Sequence, residues 1–165
     1  MEIETALRRL REILPLDERQ RRLSAPVAEA HRAILRAFGA QGRPPTTQEI
    51  EAVGGAQALT ELARNDLVVL GAHGEVVCAY PLTTATTPHR VRVNGRDLHA
   101  MCALDALAVA PLYGAAVEVS SVCHVTGAPI RITQKGDDLV AVDPPEGIQV
   151  GVRWGPVGAT ASGSL

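Results

Sequence analysis

At 165 residues the chain is long enough for one domain or two small ones, and 46% hydrophobic residues with mean hydropathy +0.08 supply a buried core. A formal net charge of -2, a pI near 6.2 and only 2% aromatic residues leave neither an overall electrostatic footprint for nucleic acid or anionic lipid nor the stacking platforms that single strands need. No apolar run approaches the roughly 18 residues of a membrane span, and MEIETALRRLREIL is a charged amphipathic opening rather than a signal peptide, so a cytoplasmic protein without membrane contact is expected.

In chain order, the first half reads as helices. Ile3, Leu7, Leu10, Ile13 and Leu14 recur at helical spacing with Arg8, Arg9, Arg11 and Glu12 between them, and Pro15 ends the run. Val27, Ala30, Ile34, Leu35 and Phe38 form a second stripe that Gly39 and AQGRPP close. Thr46 with Glu49 has capping-box spacing and opens a third helix ending at Gly54 and Gly55. Ala58, Leu59, Leu62 and Ala63 mark a fourth. LVVL at 67 to 70, a turn at Gly71 to Gly74 and EVVCAY at 75 to 80 then read as a β-hairpin, with Cys78 an inert core thiol.

Helices followed by a hairpin resemble a winged helix-turn-helix, and the test of a DNA-binding role is charge on the helix that would enter the groove. Around AQALTELARND that helix carries Glu61, Arg64 and Asp66, a single cation, which favours a structural or dimerising role over phosphate contacts.

PLTTATTPH at 81 to 89 reads as a connection between subdomains. Strands are expected at 91 to 93, before an Asn94-Gly95 hairpin turn, and at 116 to 121, 130 to 133, 139 to 142 and 148 to 154. Between them LHAMCALDALAVAPLYG predicts one helix from near His99 to Pro111. The expected class is α+β: a helical winged-helix-like region at 1–82, then at 83–165 a mostly antiparallel sheet with one helix carrying a Cys-x-x-Asp box.

Three cysteines, an odd number without regular spacing, argue against a disulfide framework. Cys102 and Asp105 lie three apart, so on a helix a soft thiol and a hard carboxyl share one face. Near the helix start the macrodipole is expected to lower the thiol pKa. Taken alone, a cysteine in MCALDALAVA reads as a small core residue and Asp105 as a surface carboxylate.

Residues 95 to 133 change that weighting. CALD at 102 to 105, followed by SSVCHVTGAPI with Ser120, Ser121, Cys123, Thr126, Gly127, Ala128 and Pro129 at matching positions, resembles the central segment of the organomercurial (alkylmercury) lyases. LVAVDPPEGIQV at 139 to 150 also fits the family's strand with an acidic-Pro pair. The resemblance implies protonolysis of a carbon–mercury bond, giving a hydrocarbon and mercuric ion. Cys102 would capture the organomercurial and Asp105 would move the proton, both residues touching mercury as substrate and product. No cofactor is implied beyond small thiols that take up mercury, and the implied partners are an organomercurial, a mercuric-ion acceptor and a second copy of the chain.

By the same resemblance Cys123 is structural, and locally it reads as a core thiol at a turn; His124 and His99 read as incidental polar residues. Met101 stands where the family often carries an aromatic residue. The family's second catalytic cysteine comes from a later strand, and no cysteine follows Cys123 here. The 83–165 region is therefore expected to lack the family's C-terminal part. The alternative reading is a non-catalytic thiol-metal binding protein or metal-responsive regulator on the same scaffold.

Overall fold

A computed structural model describes residues 3–13 and 15–151. The first helix, α1 (Ile3–Ile13), stops short of Pro15, and a short helix not foreseen from the pattern, α2 (Leu16–Arg21), follows. Arg19 of α2 is held by the buried Asp66 carboxylate at 2.6 Å. The second apolar stripe becomes α3 (Ala25–Gln41), which continues past Gly39 to a left-handed cap at Gly42. Gly39 does not end this helix because its missing side chain makes room for a packed neighbour, described below.

In α4 (Thr47–Gly54) the expected capping box forms: Thr46 Oγ1 accepts the Glu49 amide while Glu49 accepts the Thr46 amide at 2.7 Å. The next helix, α5 (Ala58–Arg64), turns Ala58, Leu59 and Leu62 inward. A Cβ on Gly54 would lie 2.6 Å from the Ala30 Cβ and 2.7 Å from that of Ala58, so these three helices meet on small residues.

The strands are β1 (Val68–Leu70), β2 (Val76–Ala79), β3 (Leu82–Thr83), β4 (Arg90–Val93), β5 (Arg96–Ala100), β6 (Ala116–Val122), β7 (Pro129–Lys135) and β8 (Asp138–Asp143). They form one sheet in the order β1-β2-β3-β5-β4-β6-β7-β8, with every described pairing antiparallel. The class is α+β, as the sequence predicts. The expected boundary between residues 82 and 83 falls inside β3, so the sheet runs across it.

Period-two alternation sets the register. Val91 and Val93 are buried between exposed Arg90 and Arg92, and Val117 and Val119 between exposed Ala116, Glu118 and Ser120. Pairing places Leu98, Val91, Val119 and Ile132 in one file across four strands. A slip of one residue would turn the arginines into the core. Asn94 and Gly95, both at positive φ, make the tight turn between β4 and β5.

The last helix, α6 (Ala103–Tyr113), packs on β4, β5, β6 and β7. Two expectations about it are corrected. It begins at Ala103, not near His99, because residues 96–100 complete the hairpin with β4 and pair on their other side with β3. It also passes Pro111, which sits in the last turn, and ends at Gly114 in the left-handed conformation. The strand expected at 148 to 154 is absent over its described part, 148–151, and the rest lies outside the described residues. At the far end of the sheet β8 stands clear of the helices, with Leu139 and Val140 60% and 63% exposed.

Tyr113 docks α6 onto α3. Its hydroxyl donates to the Leu35 carbonyl at 2.5 Å, and its ring fills the space at Gly39, where a Cβ would lie 2.5 Å from the Tyr113 Cε1. Gly39→Ala is therefore expected to cost about 1–3 kcal/mol through overpacking, read as a lower urea midpoint. Adding Tyr113→Leu should recover part of that loss. A wild-type midpoint for Gly39→Ala would show that the two helices do not meet this closely.

Candidate functional site

Between β5 and α6 the chain turns within two residues, Met101 and Cys102. The Ala100 amide donates to the His89 carbonyl at 2.9 Å and the Met101 amide to the Pro81 carbonyl at 3.2 Å, which anchors the turn against the neighbouring loops. Cys102 then adopts an extended conformation, φ -145° and ψ 179°, as the N-cap of α6. Its Sγ accepts the Asp105 amide at 3.4 Å, and its carbonyl accepts the Ala106 amide at 3.0 Å. The Asp105 carboxyl reaches back to the thiol and the backbone amide of Cys102. This is the geometry of a capping box with sulfur in place of the usual hydroxyl. Cys102 and Asp105 meet, as their spacing predicts, but as cap and third helical residue rather than as two positions on one helical face.

The expectation that the helix terminus would lower the Cys102 pKa is overturned. Burial pushes the thiol up, the Asp105 carboxylate beside it pushes it further, and the result is about 12. The amides of Asp105 and Leu104 do pull in the expected direction, but burial and a like-signed neighbour outweigh them. Burial likewise raises the Asp105 carboxyl, against the opposing pull of its bonds to Cys102. The pair thus favours holding a proton.

The other cysteines differ from Cys102 in opposite ways. Cys78 on β2 is buried, as expected, at 2% exposure; burial, then the charges of Asp105 and Asp66, raise its thiol to about 12. Cys123, read from sequence as a core thiol, instead lies half-buried in the turn between β6 and β7. There its amide donates to the Ala128 carbonyl and its carbonyl accepts from Gly127, both at 2.8 Å. The Thr126 hydroxyl, with the amides of Thr126 and Val125, holds the Cys123 thiol below the usual range. No apolar element covers this turn, which is why the core assignment fails.

His124 is exposed beside Cys123, whereas His99 is on β5 with its Nδ1 against the backbone of Thr87. The sequence reading missed Thr87, whose only signal was its place in a Thr-rich connector. Among the described residues no three His, Cys, Asp or Glu side chains converge on a point that could hold a metal ion.

Residues 82–163, which contain the whole Cys102 cap, match the alkylmercury lyase family. That segment of the chain belongs to the alkylmercury lyases. Over 108 residues the chain is 39% identical to the alkylmercury lyase of Staphylococcus epidermidis and 35% identical to that of Streptomyces lividans; each match takes in 64% of this chain and 50% of the relative. A shorter stretch of 63 residues, 38% of this chain and 29% of the relative, is 46% identical to the enzyme of Bacillus cereus. The chain thus spans about half the length of the first curated relatives it matches. In three dimensions it is similar to the mercury-bound form of MerB2, with a TM-score of 0.66, 25% identity, and coverage of 82% of this chain and 67% of that one. No helix among the described residues is long and apolar enough to cross a membrane.

Because the pKa values of Cys102 and Asp105 are both raised in the folded state, each group adds stability that is present below its unfolded pKa and lost as pH rises through the folded one. Asp105→Asn, which cannot ionise, is therefore expected to melt above wild type at pH 7, with the gap closing as pH falls below 3.8. The same substitution should speed alkylation of Cys102 by iodoacetamide, followed by peptide mass spectrometry. In the wild type Cys123 should label first. Faster labelling of Cys102 than of Cys123 at pH 8 would contradict the assigned environments.

Proposed function

We propose that this chain is a cytoplasmic organomercurial lyase-like protein that cleaves carbon–mercury bonds through Cys102 and Asp105. The observation that carries the reading is the reciprocal contact between thiol and carboxyl at the α6 cap, inside the segment that matches the alkylmercury lyases. The organomercurial cation displaces the thiol proton, which passes to the adjacent Asp105 carboxylate as the sulfur–mercury bond forms. The Asp105 carboxyl then delivers that proton to the carbon as the carbon–mercury bond breaks. A hydrocarbon leaves, and mercuric ion stays on the Cys102 sulfur until a small external thiol takes it.

An external thiol also serves as the second sulfur ligand, since Cys123 is the last cysteine of the chain. We read α3 to α5 with the β1–β2 hairpin as a winged-helix-like scaffold without a DNA role. In support, the three innermost residues of α5 are buried and its one cation is Arg64.

With methylmercury or phenylmercury and excess small thiol, the protein is expected to release hydrocarbon, measured by gas chromatography. Cys102→Ser should abolish release, and Asp105→Asn should slow turnover by about 10²- to 10⁴-fold, the usual worth of a positioned general acid. Stoichiometric mercury capture without hydrocarbon would overturn the lyase reading in favour of a thiol-metal binding protein.

A further inference from the structure

The turn that delivers Cys102 to its cap is held by three bonds from outside β5 and α6. His89 and Pro81 contribute backbone carbonyls, and the third comes from a side chain: the Thr87 hydroxyl donates to the Ala100 carbonyl at 2.7 Å. A hydroxyl has one proton to give. The His89 carbonyl lies at 3.4 Å, so the proton goes to Ala100, while the hydroxyl oxygen accepts the His89 amide at 3.2 Å.

Thr87 is itself clamped. Its amide lies 3.1 Å and its carbonyl 3.0 Å from His99 Nδ1, and the ring tautomer decides which of them bonds. Thr87 therefore grips two consecutive residues, His99 and Ala100, at the end of the strand that carries Met101 and Cys102. Its neighbours Thr84, Ala85, Thr86 and Pro88 are exposed, whereas Thr87 is partly buried. In an otherwise solvated connector, this one side chain is committed to the strand end.

We propose that Thr87 is a positioning residue for the Cys102 thiol: its hydroxyl locks the Ala100 carbonyl and so sets the angle at which Met101 and Cys102 enter the α6 cap. The Sγ contact with the Asp105 amide is long at 3.4 Å, so a small rotation of the Ala100–Met101 peptide is enough to break it. A misplacement of about 1 Å at a reacting atom can cost about 10²-fold in rate. The catalytic meaning of this rests on the lyase reading above, but the effect on the thiol does not.

The test compares wild type, Thr87→Val, which removes the hydroxyl at nearly constant shape, and Thr87→Ser, which keeps it. Iodoacetamide alkylation is followed against pH at each cysteine by peptide mass spectrometry. In Thr87→Val, Cys102 freed from the cap should react about tenfold faster at pH 8, the equivalent of a fall of about one pKa unit. Cys123 and Cys78 should keep their wild-type rates, and Thr87→Ser should match wild type at all three. An unchanged Cys102 profile in Thr87→Val would overturn the proposal. So would a joint rise of all three cysteines, which reports general loosening, or a Thr87→Ser variant that behaves like Thr87→Val. Hydrocarbon release is read separately: Thr87→Val should lose kcat with little change in KM. A wild type without release removes the lyase reading and leaves the alkylation result standing.

Discussion

The reciprocal cap between Cys102 and Asp105 is the contact on which the rest of the site depends. A helix N-terminus leaves amides that need acceptors, and here the acceptors are the two chemically distinctive side chains of the segment. The helix start and the site are therefore one structure. Any change that frays the first turn of α6 separates sulfur from carboxyl, and any change to either side chain removes a cap. The remaining architecture keeps this turn in place: α6 lies on four strands, Tyr113 ties its far end to α3, and the loops around Pro81, Thr87 and His89 hold its near end.

The electrostatics of that cap run against a simple account of an activated thiol. The most acidic thiol is Cys123, on the surface, and the thiol in the cap is among the least acidic, held at about 12 by burial and by Asp105. In the proposed reaction this is an advantage rather than an obstacle. A soft metal displaces a thiol proton by forming a strong sulfur bond, and a carboxylate already in contact with the sulfur receives it. The proton then stays at the site instead of escaping to water, ready for the carbon. A thiolate formed in advance, as at Cys123, would bind metal equally well but would have no proton to pass on.

The sheet explains why a half-length match to the alkylmercury lyases still carries a whole cap. β4, β5 and β6 with α6 form the centre, and their valine and leucine files are buried by α6 and α3 alone. β8, by contrast, pairs only with β7 and leaves Leu139 and Val140 in water. Order around Cys102 thus depends on elements within the matched segment and on the helices before it.

Much was legible in the residues themselves. Helical periodicity, the Thr46 capping box, the Asn94-Gly95 turn and the alternation in RVRV and AVEVSS determine helices, hairpins and the buried face of the sheet, because each acts over a few neighbouring positions. The spacing of Cys102 and Asp105 determined that the two would meet. Tertiary structure decided what their meeting means. Ladder bonds from β3 and β4 claim residues 96–100 as strand, which moves the helix start to Ala103 and turns Cys102 into its cap. Burial by the assembled core reverses the thiol shift that a helix terminus alone would produce. It also took the folded chain to bring Thr87, 15 positions before Cys102 in a connector without periodicity, onto the strand end. A hydroxyl's partner 13 residues away is set by packing, and no local pattern encodes it.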